Sequence, residues 1–169
     1  MSIIEENDIK ALCLDIDGTL YPKSQMNIKL IKSVFPNLKL GFSFNKIRKQ
    51  YRKTQEFDNP ISEDRLGFLE KQAKIYLNKN NPSLEEIENA KNKINRQFYL
   101  AWEKSFLNIK SFDIMRETLE KAKASGLKIA LLSDFPLGNK IKTLHLEDIV
   151  DFSISSEDSG YLKPSKSPF

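Results

Sequence analysis

The run Ala11-Leu12-Cys13-Leu14-Asp15-Ile16-Asp17-Gly18-Thr19-Leu20 constrains the fold of this chain more than any other stretch. A short apolar segment delivers two carboxylates two residues apart and then turns at a glycine. Apolar residues on both faces suit a strand inside a parallel sheet, where helices cover each side. Carboxylates at the carboxyl end of such a strand stand at the edge where α/β sheets bind ligands. Two acids there, beside backbone N–H groups freed by the turn, can hold a divalent cation and receive a phosphate. Alone, the same run also reads as an Asp-Gly turn closing an ordinary strand.

Two further segments extend the pattern. Leu127 to Leu132 is a second buried-strand pattern and ends at Ser133-Asp134. Gly160-Tyr161-Leu162-Lys163-Pro164-Ser165 follows a third, weaker strand pattern at Asp151 to Ser155. An acid pair, a hydroxyl and a lysine thus succeed one another at or just after strand ends. In order and context they resemble the haloacid dehalogenase-like (HAD) superfamily, with D-x-D-x-T as motif I, Ser or Thr as motif II and Lys-Pro as motif III. The resemblance implies an α/β fold, a Rossmannoid parallel sheet of which three strands are expected here, with an inserted all-helical cap of the C1 type. Residues 1–21 and 109–169 would form the core and 22–108 the cap.

Roles follow from the same resemblance. Asp15 would be the nucleophile of a Mg²⁺-dependent phosphatase, forming an aspartyl-phosphate. Asp17 would protonate the leaving oxygen, later activate water, and give its backbone carbonyl to the metal that Asp15 also binds. Gly18, Thr19, Ser133, Asp134 and Lys163 would surround the phosphate, with Thr19 also orienting Asp17. Family dehalogenases lack an acid at the second position, because halide leaves without a proton; Asp17 therefore favours a phosphatase. A phosphomutase would keep the same pair. His145 is the only histidine, which excludes a His-based triad or a multi-histidine zinc site and reads as structural.

Helical patterning fills the long interval between the first two motifs. Helices are expected over Asn27 to Phe35, Phe44 to Thr54 and Ser62 to about Asn78, the first ended by Pro36. Ser83 and Glu86 form a capping-box signature. Ile87, Ala90, Ile94, Phe98, Ala101 and Ser105 then share one stripe, widened by Trp102 and Phe106. Ser111 is placed to cap a helix to about Ser125 whose buried face is Phe112, Met115, Leu119 and Ala122, stopped by Gly126. Gly138 to Leu144 reads as another helix and Val150 to Ser155 as the third strand. The β-α-β-α-β order implies parallel strands with right-handed crossovers.

Charge divides the same way. Residues 22–109 carry 17 basic and 9 acidic side chains, whereas the rest of the chain is net acidic. Clusters such as Lys46-Ile47-Arg48-Lys49 and Tyr51-Arg52-Lys53 are most simply solvated helix faces. Above a metal-binding core they would concentrate an anionic substrate, a small phosphorylated metabolite. Nucleic-acid binding is a weaker reading, since Tyr51, Phe57 and Tyr76 fall in no nucleic-acid motif. No apolar run approaches the roughly 20 residues that cross a bilayer. Glu5, Glu6 and Asp8 do not resemble a signal peptide. Cys13 is the only cysteine and reads as a small buried apolar residue, so a cytoplasmic protein is expected.

The resemblance also implies a fourth, acidic motif completing the Mg²⁺ site. Only six residues follow Lys163, and Ser156-Glu157-Asp158 precedes motif III and reads as connecting loop. The expectation is a truncated form with little activity, in which Lys163-Pro164-Ser165 opens a helix. Its first strand would be an exposed edge open to self-association. A non-catalytic binding or regulatory module derived from the same fold is the alternative.

Overall fold

The computed structural model describes residues 8–34, 38–55 and 64–165. Three parallel strands form one sheet in the order β1 (Ala11–Leu14), β2 (Lys128–Ser133), β3 (Phe152–Ser155). Leu14 pairs with Leu131, and Ser133 with Ser155, so all three strands end at one edge. This is an α/β Rossmannoid sheet with an inserted helical cap, as expected.

The central strand carries the core. Ile129 and Leu131 are completely buried, packed with Ile16, Leu20, Met26, Phe106, Met115 and Leu119 among others. β1 departs from its expected burial on both faces: Ala11 and Cys13 are exposed. Ala11 and Cys13 alternate with Leu12 and Leu14, which pack against the core, so the exposed pair shares the face of β1 that is left uncovered among the described residues. Cys13 is accordingly a surface thiol and not a core residue.

The insertion consists of α1 (Lys23–Val34), α2 (Leu38–Thr54), α3 (Arg65–Leu77), α4 (Leu84–Ile94), a π-helical turn at Asn95–Tyr99 and α5 (Leu100–Phe106). α1 and α2 begin several residues before their expected starts; the stop at Pro36 and the start at Ser62 lie outside the described residues. The capping box forms as read: Glu86 N–H donates to Ser83 Oγ at 3.2 Å, and Ser83 N–H to Glu86 Oε2 at 2.8 Å. The expected stripe is buried at Ile87, Ala90, Ile94, Phe98, Ser105 and Phe106. Periodicity of 3.6 does not announce the π turn inside it, a feature that often marks functional segments.

α6 (Met115–Ala124) starts after Ile114, not after Ser111. Phe112 therefore falls outside the helix and is exposed, while Met115 and Leu119 take the buried face. The helix expected over Gly138 to Leu144 shortens to α7 (Lys140–Thr143), and His145 follows it with φ +54°. His145 lends its backbone carbonyl to Arg116, a structural use. Lys163 and Pro164 form a turn, and the helix expected beyond them lies outside the described residues.

Candidate active site

Asp15 follows the last residue of β1, and the chain then folds back on itself. The amides of Thr19 and Leu20 both donate to the Ile16 carbonyl, at 3.2 and 3.1 Å. Gly18 makes this possible with φ +101°, a backbone state that side chains resist. The turn puts Asp15 and Asp17 at the same sheet edge as Ser133, the last residue of β2. Lys163 reaches that edge from the far end of the chain, with Nζ 2.5 Å from Asp15 Oδ1 and 3.1 Å from the Leu132 carbonyl. Asp15, Asp17, Ser133 and Lys163 are thus brought together.

Asp17 is held from three directions. Tyr21 donates its hydroxyl to Oδ1 at 2.7 Å, and Ser133 donates to Oδ2 at 2.8 Å. The third donor is Lys140, whose Nζ lies 2.6 Å from Oδ2 and 2.9 Å from Ser133 Oγ. Lys140 is only 2% exposed. Burial pulls its ammonium below the usual lysine range, opposed by the neighbouring charge of Asp17. Burial, then the Asp17 charge, pushes the Tyr21 phenol far above its usual range, so it remains a proton-bearing donor. Neither Tyr21 nor Lys140 was marked by the motifs. Tyr21 lies four residues beyond Asp17, and Lys140 opens a four-residue helix, too short for periodicity to announce. The one available signal was electrostatic: two clustered carboxylates and a single assigned lysine leave one charge uncompensated.

Two expected roles change. Thr19 was expected to orient Asp17, but its hydroxyl faces Asp15 Oδ2 at a long 3.5 Å, and Tyr21 fills the Asp17 position. Asp134 was expected to contact phosphate. Its carboxylate instead accepts from Ser156 Oγ at 2.8 Å, the Lys163 amide at 3.0 Å and Arg52 Nη2 at 2.7 Å. This side chain anchors Lys163, and the expected phosphate contact at Asp134 would fall to its backbone N–H. Burial alone would raise its pKa, but Ser156, Arg52 and the Lys163 amide together hold it below the ordinary range. A depressed carboxylate stabilises the fold above its unfolded pKa of about 3.9 and loses that contribution as pH falls through the lower folded value. Acid melting curves should therefore show an extra loss of stability below about pH 4 that Asp134→Asn removes. Parallel curves for the two proteins would refute this assignment.

The helical insertion grips the motif III segment. Gln55, just after α2, donates to the Leu162 carbonyl at 2.8 Å and accepts from its amide at 2.9 Å. Tyr51 donates to the Gly160 carbonyl at 2.6 Å, and Arg52 Nε to the Lys163 carbonyl at 3.0 Å. Beside this clasp lies Glu157, completely buried, in a 3₁₀ turn after β3 (Ser156–Ser159). It accepts from Arg48 of α2 at 2.6 Å, Arg65 of α3 at 2.5 Å and the Tyr99 hydroxyl at 3.0 Å. Arg48, Arg52 and Arg65 thus turn inward to acidic partners instead of forming a solvated face. Glu157 joins the cap to the core and is not simple connecting loop.

The donor set suits a hard cation in part. Among the described residues no three His, Cys, Asp or Glu side chains converge on one point. Mg²⁺ commonly takes only one or two carboxylates and keeps water and substrate oxygens for the remainder. Asp15 Oδ2 has only the long Thr19 contact among the described residues, leaving one anionic oxygen to offer. The Asp17 side chain is fully engaged, so its contribution would come from its backbone carbonyl.

The sequence model of haloacid dehalogenase-like hydrolases matches residues 9–169. The chain belongs to this family. No curated protein sequence matches it. Among solved structures, the L-2-haloacid dehalogenase RSc1362 superposes with TM-score 0.60 at 15% identity, over 95% of this chain and 69% of that one. The HAD-hydrolase YfnB from Bacillus subtilis, solved with magnesium, gives TM-score 0.58 at 11% identity, over 95% and 71%. A predicted phosphoglycolate phosphatase from Haemophilus somnus gives 0.51 at 17% identity, over 95% and 68%. At these identities the likeness concerns the fold. The chain spans about two thirds of the length of each of the three. No helix among the described residues is long and apolar enough to cross a membrane.

Proposed function

We propose that this hydrolase is a Mg²⁺-dependent phosphatase of a small phosphate monoester, working through an aspartyl-phosphate on Asp15. The observation that carries the reading is the Asp17 carboxyl, fixed two residues from Asp15 by Tyr21, Ser133 and Lys140. A halide leaves without a proton, whereas an alkoxide needs one, and Asp17 is the group able to supply it.

In the first half-reaction an Asp15 oxygen attacks phosphorus while the bond from phosphorus to the ester oxygen breaks. Once the Ser133 hydroxyl turns from Asp17 Oδ2 to a phosphoryl oxygen, that position can carry a proton, which Asp17 passes to the ester oxygen as the alcohol departs. In the second half, water attacks the aspartyl-phosphate, and Asp17 takes back a proton as inorganic phosphate leaves. Lys163 offsets negative charge from the nucleophile's side, and Ser133 can offer its hydroxyl to a phosphoryl oxygen. Mg²⁺, when bound by Asp15 and the Asp17 carbonyl, would screen the phosphoryl oxygens from the attacking carboxylate.

A cavity of about 130 Å³ lies beside Lys140, lined by Tyr99, Trp102, Phe106 and the Pro136–Gly138 loop. The inward pairing of Arg48, Arg52 and Arg65 weighs against a nucleic-acid face. The open side of β1 is where a second copy could add a strand. The deciding experiment measures phosphate release by the purified protein. Phosphate should be released from p-nitrophenyl phosphate with Mg²⁺ and cease on chelation. Undiminished release after chelation would remove the metal-dependent mechanism.

A further inference from the structure

Lys140 sits in a place its local sequence does not explain. The turn before it passes close to α5, and at Gly138 the φ of +46° disfavours a side chain, with Glu103 Oε1 3.1 Å from where a Cβ would stand. This tight turn delivers Lys140 beneath the sheet edge, where its Nζ lies 5.6 to 5.9 Å from the ring centres of Phe106, Phe135 and Trp102. Aromatic rings on one side and Asp17 on the other define the environment of a long side chain that normally reaches water.

Its hydrogen bonds determine those of its neighbours. An ammonium has three donors and no acceptor. Ser133 Oγ therefore accepts from Lys140, and it also accepts from the Phe135 amide at 3.0 Å. With both lone pairs engaged, the single Ser133 proton goes to Asp17 Oδ2. A phosphoryl oxygen that takes this proton frees one position on Asp17 while Lys140 and Tyr21 still hold the carboxyl.

We propose that Lys140 is a positioning residue of the phosphatase reaction, holding Asp17 and Ser133 as one unit so that the carboxyl stays aimed at the leaving oxygen when the Ser133 hydroxyl turns to a phosphoryl oxygen. This rests on the phosphatase reading. The Oδ2 position that Ser133 vacates is where Asp17 takes up a proton as substrate binds; in the transfer that O–H bond breaks, its electron pair stays on the carboxylate, and an O–H bond forms on the departing alkoxide.

The dependence on the leaving group separates this role from a structural one. p-Nitrophenolate departs as a stabilised anion and needs little proton assistance, whereas an alkyl phosphate depends on it. Lys140→Met should lower kcat by roughly 10²-fold on an alkyl phosphate and less than about 10-fold on p-nitrophenyl phosphate. KM should change by less than about 3-fold on either. Lys140→Arg keeps the charge with altered reach; it should show the same selectivity at about 10-fold and serves if the Met variant does not fold. Equal losses on both substrates, unchanged kcat, or a rise in KM alone would overturn the proposal while leaving the phosphatase reading intact. A wild-type protein inert on both substrates would remove that reading and this proposal with it.

Discussion

Asp15→Asn should abolish turnover while leaving the fold in place. The amide keeps the size and planar shape of the carboxyl and can still present an oxygen to Lys163. It has no anionic oxygen with which to attack phosphorus. Removing a covalent nucleophile typically costs on the order of 10⁴-fold or more. Stability should move by only about 1 kcal/mol, because the Asp15–Lys163 pair is partly open to solvent, at 24% exposure for the lysine and 39% for the aspartate. Lys163 also keeps its bond to the Leu132 carbonyl. Acid quenching during turnover provides a direct measurement: the wild-type protein should retain a covalently bound phosphoryl group and the Asn variant none. A variant that turns over at the wild-type rate, or carries the same label, would exclude Asp15 as the nucleophile.

The residues to which this mechanism is assigned were readable because each ends a strand or closely follows one. Asp15 and Asp17 follow β1, Ser133 closes β2, and a parallel sheet brings such ends to one edge. Only Lys163 is more distant, and the Lys-Pro of motif III marked it. Tyr21, Lys140, Arg48 and Glu157 were not readable in the same way. Lys140 meets Asp17 across 123 positions, and Arg48 meets Glu157 across 109. Polar pairs at such separations impose no period on the sequence, unlike the stripe from Ile87 to Phe106. Arg48 and Arg52 lie among surface lysines on α2, and local pattern cannot tell an inward basic residue from an outward one. Cys13 was misread for a related reason. Its apolar neighbours match a strand covered on both faces, but burial depends on what packs over each face of the sheet, and the face that carries Ala11 and Cys13 is exposed. Sequence therefore conveyed the scaffold and the Asp15–Asp17 pair at its edge, and missed the charges that hold them.

The largest effect on stability should come from Glu157. No part of its side chain reaches solvent, and its partner Arg48 has only 4% of its side chain exposed. Three donors from the insertion converge on it: Arg48, Arg65 and Tyr99. Burial, then the Glu157 charge, raises the Tyr99 phenol far above its usual range, so it contributes as a neutral donor. Burying such a cluster gains little over a well-packed apolar one, because every charge has first lost its water. Breaking it is a different matter. Glu157→Ala would leave the Arg48 guanidinium buried without its carboxylate, at a cost of about 3–5 kcal/mol. For a chain of this size that lowers the melting temperature by roughly 10–15 °C. Glu157→Gln keeps the acceptor oxygen and loses the charge, so it should fall between Ala and wild type. Arg48→Met, which removes the most buried cation along with its need for a partner, should recover part of the loss when combined with Glu157→Ala. Strictly additive losses in the double variant, measured by thermal or urea unfolding, would show that Arg48 and Glu157 do not stabilise one another. The Gln55, Tyr51 and Arg52 clasp on residues 160–163 would then be the stronger polar link between cap and core.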